Sequence, residues 1–533
     1  MALVPLLRSL RGSDIDRARA AETALLTGER TRRQTIQREL ERALCSDDEA
    51  LPTLGESLDS GRPVRLPLAK LLGHTLVVGP SGAGKTYFVV GLLQALWQLG
   101  VPRTLFLDPK AEGVELALRA LVRQARRLPE AQREAFLDRV VWIDLFSGSA
   151  LPCLQVLSDD GGDAELLTAE VASILMGELT ATVGIHQEGH VHRLLEVLHH
   201  AKLPLTAFVP LMQNPDLFDA LAGSGVAPEL CRAAGARLRS ESRERLAGIA
   251  SRIESILRLK STRLALGGAT SCMDFGQLLD GSITLVSLAP PGGADDISRV
   301  LRGLIWSKVS RAIRARPNGA APVAVCIDEF PTFLSAGGAR AAAGIEDGLR
   351  LARSKGAYHI LMAQDFSASI TKISASLPTV LKINSHLSVV FRAARSDDWT
   401  DYLPVTGCRP RPRGPYWEAP RPGYLDRAEE RELLRAQLVR APDRTALMVD
   451  SRVGKGIFIR TANLDLDVEE REVEALRTRA SRNRFVRPVA ELERGEADVR
   501  ARLDALAAGV RTPDTTSRTG AAKSRGPRPF GMG

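Results

Sequence analysis

The spacing of hydrophobic positions changes several times along this chain, and each change predicts a different element. The runs His74–Val78, Thr104–Leu107 and Val140–Leu145 are almost continuously apolar over strand length. So are Ser282–Leu288, Val323–Ile327, His359–Ala363 and Leu387–Phe391. Runs of this kind suit strands covered on both faces, as in a parallel sheet. Helical spacing fills the gaps: Tyr87–Leu99 follows the first run, and Asp295–Arg314 follows the fourth. From about Asp163 to Ala265 the period is helical throughout, through Ala164–Leu175, Val191–His200, Leu205–Leu211 and Arg243–Leu259. Strand and helix alternate on both sides of that stretch. The pattern therefore predicts one α/β domain, doubly wound on a mainly parallel sheet and interrupted by an all-α insertion.

The ends read differently. Residues 13–45 predict two helices, with Ser13 and Asp16 as a capping box and Gly28 as the stop between them. Residues 403–423 form a Pro/Arg/Gly loop without periodicity, and two charged helices occupy roughly 468–508. Thr512–Gly533 is rich in Gly, Pro, Ser and Arg, a composition that predicts disorder. The resulting division is an N-terminal helical segment at 1–60 and a first core part at 61–160, then the insertion at 161–275. A second core part follows at 276–465, then C-terminal helices at 466–510 and a basic tail at 511–533.

Composition narrows the class only a little. At 533 residues, with 44% hydrophobic and 25% charged positions, the chain is globular and larger than one ordinary core. Its 72 basic residues against 63 acidic ones lean mildly towards a polyanionic partner. Aromatics, at 5%, are too few for a broad stacking platform. Cys45, Cys153, Cys231, Cys272, Cys326 and Cys408 lie far apart with no CxxC spacing, which suggests neither a zinc site nor a disulfide framework and fits a reducing cytoplasm. No stretch approaches the ~20 apolar residues of a membrane helix. Five of the eight histidines fall within 186–200, but the spacing of His186, His190 and His192 matches no standard metal site. A polar helix surface is the plainer reading.

The chemistry concentrates in a few motifs. Gly79-Pro80-Ser81-Gly82-Ala83-Gly84-Lys85-Thr86 satisfies GxxxxGK[ST] between a buried strand and an amphipathic helix. Backbone N–H groups of such a loop cradle phosphates, Lys85 would reach the β- and γ-phosphates of ATP, and Thr86 would hold Mg²⁺. Asp328 and Glu329 end the apolar strand Val323–Ile327. Asp328 would support the metal and Glu329 would polarise an attacking water, which favours an ATPase over a small-molecule kinase. Gln364 ends another strand and could contact the γ-phosphate, and Asp108-Pro109-Lys110 ends a third on the same carboxyl edge. A ring-forming ATPase needs a cation from the next subunit; Arg392 is the first candidate, with Arg395 beside it and Arg353 as the second.

In this order the motifs resemble the conjugative coupling ATPases of type IV secretion systems, the TraG/TraD-type proteins in the HerA/FtsK branch of RecA-like motors. The resemblance rests on HTLVVGPSGAGKT (74–86), LDPKAEG (107–113), VCIDEFPTFL (325–334), LRLARSKGAYHILMAQDFS (349–367) and INSHLSVVFRAARSDDW (383–399), and it spans roughly residues 60–460. It implies a homo-hexameric ring with ATP between subunits and DNA through the centre, and it supports Arg392 as the trans-acting arginine. It also implies relaxosome or secretion-channel partners. Members of that family carry N-terminal transmembrane helices, which this sequence lacks. The expectation is therefore a cytoplasmic protein that meets the inner membrane through a separate subunit, or a cytoplasmic DNA pump. Contact with DNA could come from Ser335–Arg340 after the acidic pair, from Arg409, Arg411, Arg413, Tyr416, Trp417 and Arg421, or from Arg518, Lys523, Arg525 and Arg528 in the tail. The open alternatives are an ATPase of the same branch that handles protein substrates, and a nucleotide-gated adaptor that recruits a relaxosome or effector through the helical insertion.

Overall fold

The computed structural model describes residues 12–146, 148–158, 163–177, 185–292, 294–335, 345–346, 348–393, 397–411 and 424–511. Its strands, in chain order, are β1 (Thr53–Ser57), β2 (Pro63–Arg65), β3 (His74–Val78), β4 (Thr104–Asp108), β5 (Val140–Asp144), β6 (Ala150–Leu151) and β7 (Ile283–Ser287). They continue with β8 (Val323–Ile327), β9 (Ala357–Ala363), β10 (Ser385–Phe391), β11 (Thr445–Asp450), β12 (Lys455–Thr461) and β13 (Arg487–Pro488). One 11-stranded sheet runs in the order β2-β1-β12-β11-β10-β3-β9-β8-β4-β7-β5, and β6 pairs with β13 apart from it. From β10 to β5 every neighbouring pair is parallel, whereas β10-β11, β11-β12, β12-β1 and β1-β2 are antiparallel. Seven predicted strands thus appear as a parallel block. The antiparallel flank, including two strands from residues 53–65, extends it.

Because side chains alternate across a strand, each apolar run feeds two cores. Val77, Phe106, Cys326 and Met362 face the helices Lys85–Gln98 and Glu112–Arg127, where Val89, Leu93, Val114 and Leu121 meet them. Leu76, Leu105, Leu107, Val325 and Leu361 face the other way, onto the helix Asp295–Ala315 and the helical stretch before β7. Each fully buried Leu, Ile or Val contributes about 1.5–3 kcal/mol. From Ala164 to Gly281 every described element is a helix, and its apolar residues share one continuous core with that sheet face.

Two details differ from the sequence pattern. Gly12–Leu44 is a single helix, so Gly28 does not stop it. Glycine inside a helix costs about 1 kcal/mol, which a helix of this length tolerates. At the other end, the helix Glu470–Ser481 covers the edge strand β5, burying Val473, Leu476 and Ala480. Asn483 Nδ2 donates to Trp142 O at 3.1 Å beside it. Arg119, Arg123 and Arg126 pair there with Glu470, Asp465 and Glu472. Such half-exposed pairs contribute about 0.2–1 kcal/mol each, so the apolar stripe dominates the docking.

At the amino edge of the sheet two imidazoles are buried together. His74 Nε2 donates to Leu349 O at 2.9 Å while its Nδ1 accepts from the His359 backbone N–H at 3.0 Å. The His359 ring lies 5.1 Å from His74 and 5.8 Å from Trp306, and its Nδ1 has no hydrogen-bond partner among the described residues. Burial pushes His74 down to about 4, with Arg353 and His386 adding to the shift, and burial holds His359 well below its ordinary value. Both are neutral in the fold but take up protons near 6.5 when unfolded. Their contribution is therefore complete above about pH 6.5 and is lost as pH falls towards 4, on the order of 3 kcal/mol for His74. We expect the thermal midpoint to drop steeply between about pH 7 and 5. His359→Leu should flatten that dependence; an unchanged slope would mean that these rings do not set it.

Candidate functional site

The loop between β3 and the helix Lys85–Gln98 opens at the carboxyl edge of the parallel block. Gly79 N–H donates to Ala363 O at 3.1 Å, tying the loop to β9. Gly84, the residue before the helix, has φ 103°, a conformation that a β-carbon strongly disfavours. Helix N–H groups without an internal acceptor then point out of the first turn, which makes an anion site. Lys85 is 7% exposed, and its Nζ donates to Gly79 O at 2.7 Å and Pro80 O at 3.0 Å, folded back along the loop. Burial lowers its pKa, opposed by the charges of Glu329 and Asp328. Arg444 braces the loop from the antiparallel flank: its backbone N–H donates to Ala83 O at 3.0 Å and its Nη2 to Thr461 O at 2.7 Å.

The next strand but two, β4, supplies a fully buried carboxylate. Asp108 Oδ1 accepts from Lys110 N at 2.8 Å, and Oδ2 accepts from Gly113 N at 2.6 Å and Val114 N at 3.1 Å. It therefore caps the start of the helix Glu112–Arg127. Burial raises its pKa, and these backbone donors pull against that. A β-carbon on Gly113 would lie 2.7 Å from Phe106 Cζ, 3.1 Å from Asp108 Oδ2 and 3.1 Å from Thr86 Cγ2. The Asp-Pro-Lys turn and the phosphate-type loop are thus packed against each other, and glycine is what allows the approach.

Between β4 and β9 lies β8, whose end carries the acidic pair. Asp328 N–H continues the ladder to Leu107 O at 3.0 Å, and its side chain is 6% exposed. Burial, then the charges of Asp108 and Glu329, raise the Asp328 carboxyl to about 7, against the pull of Lys110 and Lys85. Glu329 follows in the left-handed region at φ 48°, a strain on the order of 1–3 kcal/mol. It is held there by its own N–H on Asp328 Oδ1 (2.9 Å) and by the fully buried Phe330, whose N–H donates to Met362 O at 3.0 Å. Lys110 Nζ lies 3.1 Å from Glu329 Oε1, and Gln364 Nε2 donates to the same oxygen.

This donor set fits a hard divalent cation. Three carboxylates lie close together here, and burial with the charges of Asp108 and Glu329 raises the Asp328 pKa, so a bound cation would relieve their repulsion. The Thr86 hydroxyl makes no hydrogen bond among the described residues, and Thr86 and Asp328 offer only oxygen, as Mg²⁺ prefers. Residues 79–86, Asp328, Glu329 and Gln364 therefore meet on one edge, as their positions in the sequence predict. Lys110, which in the sequence stands in the Asp108-Pro109-Lys110 tripeptide and in the LDPKAEG segment of the resemblance, lies in the same cluster, and Arg444 had no motif to mark it.

The arginines are distributed differently. Arg392 follows β10, whose Val390 pairs with Val78, so it stands near the loop; it is half-exposed and 3.9 Å from Asp443. Arg353 precedes β9, and its charge acts on His74 and His386 at the amino edge. It thus lies at the opposite edge of the sheet from the loop. Arg395, Arg340, Arg413, Tyr416, Trp417, Arg421 and the tail residues Arg518, Lys523, Arg525 and Arg528 lie outside the described residues. Arg409 lies 3.5 Å from the fully buried Glu430, and Arg411 makes a two-pronged pair with Glu429 at 2.8 and 2.7 Å. His190 pairs with Glu241 at 2.8 Å, and His192 meets Thr168 and Glu196 instead. No group of three metal-binding side chains of the His, Cys, Asp or Glu type occurs among the described residues.

None of the known protein-family profiles matches this sequence, and no curated protein does. Solved structures do share its architecture. VirB4 of Thermoanaerobacter pseudethanolicus superposes with a TM-score of 0.50 at 13% identity, covering 79% of this chain and 99% of that one. The bacterial conjugative coupling protein TrwBdeltaN70, in a trigonal form with sulphate, gives 0.51 at 14% identity over 81% and 91% of the two chains. Plasmid coupling protein TrwB in complex with ADP and Mg²⁺ gives 0.51 at 13% identity over 81% and 93%. With the loop geometry, these likenesses define the class: this is a RecA-like P-loop fold. No helix among the described residues is long and apolar enough to cross a membrane.

Gly113→Ala should force Phe106 or Thr86 to move. We expect a loss on the order of 1–3 kcal/mol in unfolding free energy and weakened binding of phosphate ligands at the loop. Denaturant titrations with and without pyrophosphate check it. Unchanged stability and binding would show that the Asp108 turn and the loop are not packed as described.

Proposed function

We infer that this chain is an ATP-hydrolysing motor of the conjugative type IV secretion class, working as a homo-hexamer that moves DNA. The observation that carries the reading is the convergence of Lys85, Thr86, Asp328, Glu329 and Gln364 at the ends of β3, β8 and β9, in a fold shared with VirB4 and TrwB. The TrwB complex with ADP and Mg²⁺ supports ATP and Mg²⁺ as its ligands.

In this reading the N–H groups of residues 79–86 bind the phosphates. Lys85 exchanges its two loop carbonyls for the β- and γ-phosphate oxygens. Thr86 and Asp328 hold Mg²⁺, which when bound neutralises charge on the phosphates. Glu329 orients a water and takes its proton as general base, with Gln364 touching the same carboxylate so that loss of the γ-phosphate is felt at β9. Arg392 of a neighbouring subunit completes the site, Arg395 and Arg353 being the other candidates. We read residues 161–275 as an all-α module on the ATPase core, and relaxosome or channel proteins as its partners at the inner membrane.

A second reading has a specific observation behind it. Arg409 and Arg411 are committed to Glu430 and Glu429, which leaves fewer free cations at the base of the 403–423 loop for a nucleic acid. A protein substrate, or an adaptor role for the helical module, fits that arrangement.

Steady-state hydrolysis with and without single- and double-stranded DNA, at two salt concentrations, separates them. We expect stimulation by DNA that fades in salt. Lys85→Ala should abolish turnover, and Glu329→Gln should lower kcat by roughly 10²–10⁴-fold. Full hydrolysis by Glu329→Gln would overturn the assignment of the base, and turnover indifferent to DNA would favour a protein substrate.

A further inference from the structure

Resting on that reading, Lys110 has a place beside the general base that none of the roles above fills. Its side chain is 43% exposed, so the ion pair with Glu329 contributes little to stability. Its placement is nevertheless tightly specified. The Lys110 backbone N–H is held by Asp108 Oδ1, in the turn whose Gly113 packs on Thr86 and whose Ala111 sits at φ 66°. Two donors, Lys110 Nζ and Gln364 Nε2, converge on Glu329 Oε1, while Oε2 makes no hydrogen bond among the described residues. The Glu329 backbone is fixed by its own N–H on Asp328 Oδ1, so these two donors decide where its side chain points.

We propose that Lys110 is a positioning residue that pins Glu329 by Oε1 and presents Oε2 to the attacking water. The pin is anchored to the Asp108 turn, and Gly113 just after it packs on Thr86, so the segment packed on the phosphate loop also orients the base. Lys110 takes no proton and contacts no phosphate in this role. Removing it leaves ligand binding intact and lets the carboxylate swing.

The test is Lys110→Met and Lys110→Arg in the full chain, with kcat and KM for ATP measured beside Glu329→Gln. Misplacing a catalytic group by about 1 Å can cost 10²-fold, so Lys110→Met should lower kcat roughly 10- to 100-fold. KM should stay within about twofold, and Lys110→Arg, which keeps the charge, should recover most of the rate. Under single turnover, adding Lys110→Met to Glu329→Gln should cause no further loss, because the pinned group is already disabled. A normal kcat in Lys110→Met, a rise in KM instead of a fall in kcat, or an equal loss in both backgrounds would overturn the proposal while leaving Glu329 as base. Wild-type hydrolysis by Glu329→Gln would overturn both together.

Discussion

Negative charge gathered at the end of a buried sheet is the constraint on which the site depends. Asp108, Asp328 and Glu329 stand where adjacent parallel strands finish, with Lys85 and Lys110 facing them and the charge of Arg302 reaching Glu329. Water is largely excluded there, so the repulsion is not screened and the Asp328 carboxyl rises to about 7. Asp108 avoids the conflict by turning its oxygens onto the backbone N–H groups of a helix start. Asp328 has the Glu329 N–H on its Oδ1, and Glu329 rests on Lys110 and Gln364 through Oε1. The repulsion within this buried group is what a divalent cation beside the phosphate loop would relieve.

The rest of the fold holds these groups in place. β3, β9, β8 and β4 are consecutive in the sheet, so the loop, Gln364, the acidic pair and Asp108 are spaced by strand pairing and not by flexible loops. Both faces of those strands are covered, by the helix after the loop on one side and by Asp295–Ala315 with the helical stretch on the other. The antiparallel flank also matters to the site, since Arg444 at the start of β11 braces Ala83. The strain at Glu329 and Ala111 is tolerable because the neighbouring Phe330 and Asp108 are immobilised by burial.

The parallel block was legible because its strands are covered on both faces and read as plain apolar runs. Val323–Ile327 has the same limits in pattern and structure. The phosphate loop and acidic pair were legible because their chemistry demands fixed residue types at fixed spacing. β1 and β2 were not, since TLGES and PVR are short and partly polar, and β1 pairs with β12 some four hundred positions later. No local pattern carries that information. Gly28 misled because glycine marks a helix end only when nothing else sustains the helix. Arg409 and Arg411 looked like free cations, but their carboxylate partners lie about twenty residues away. Lys110 sits in a turn whose value depends on Glu329, far off in sequence and 3.1 Å away in space.

The central claim is that this edge is a Mg²⁺–nucleotide site completed by Asp328. Calorimetric titration of a non-hydrolysable ATP analogue, with and without Mg²⁺, against the wild type and Asp328→Asn tests it most directly. The account predicts tight binding by the wild type only when Mg²⁺ is present, and a weakened, Mg²⁺-insensitive response in Asp328→Asn. Equal binding with and without the ion, or an Asp328→Asn variant that keeps the full Mg²⁺ effect, would contradict it.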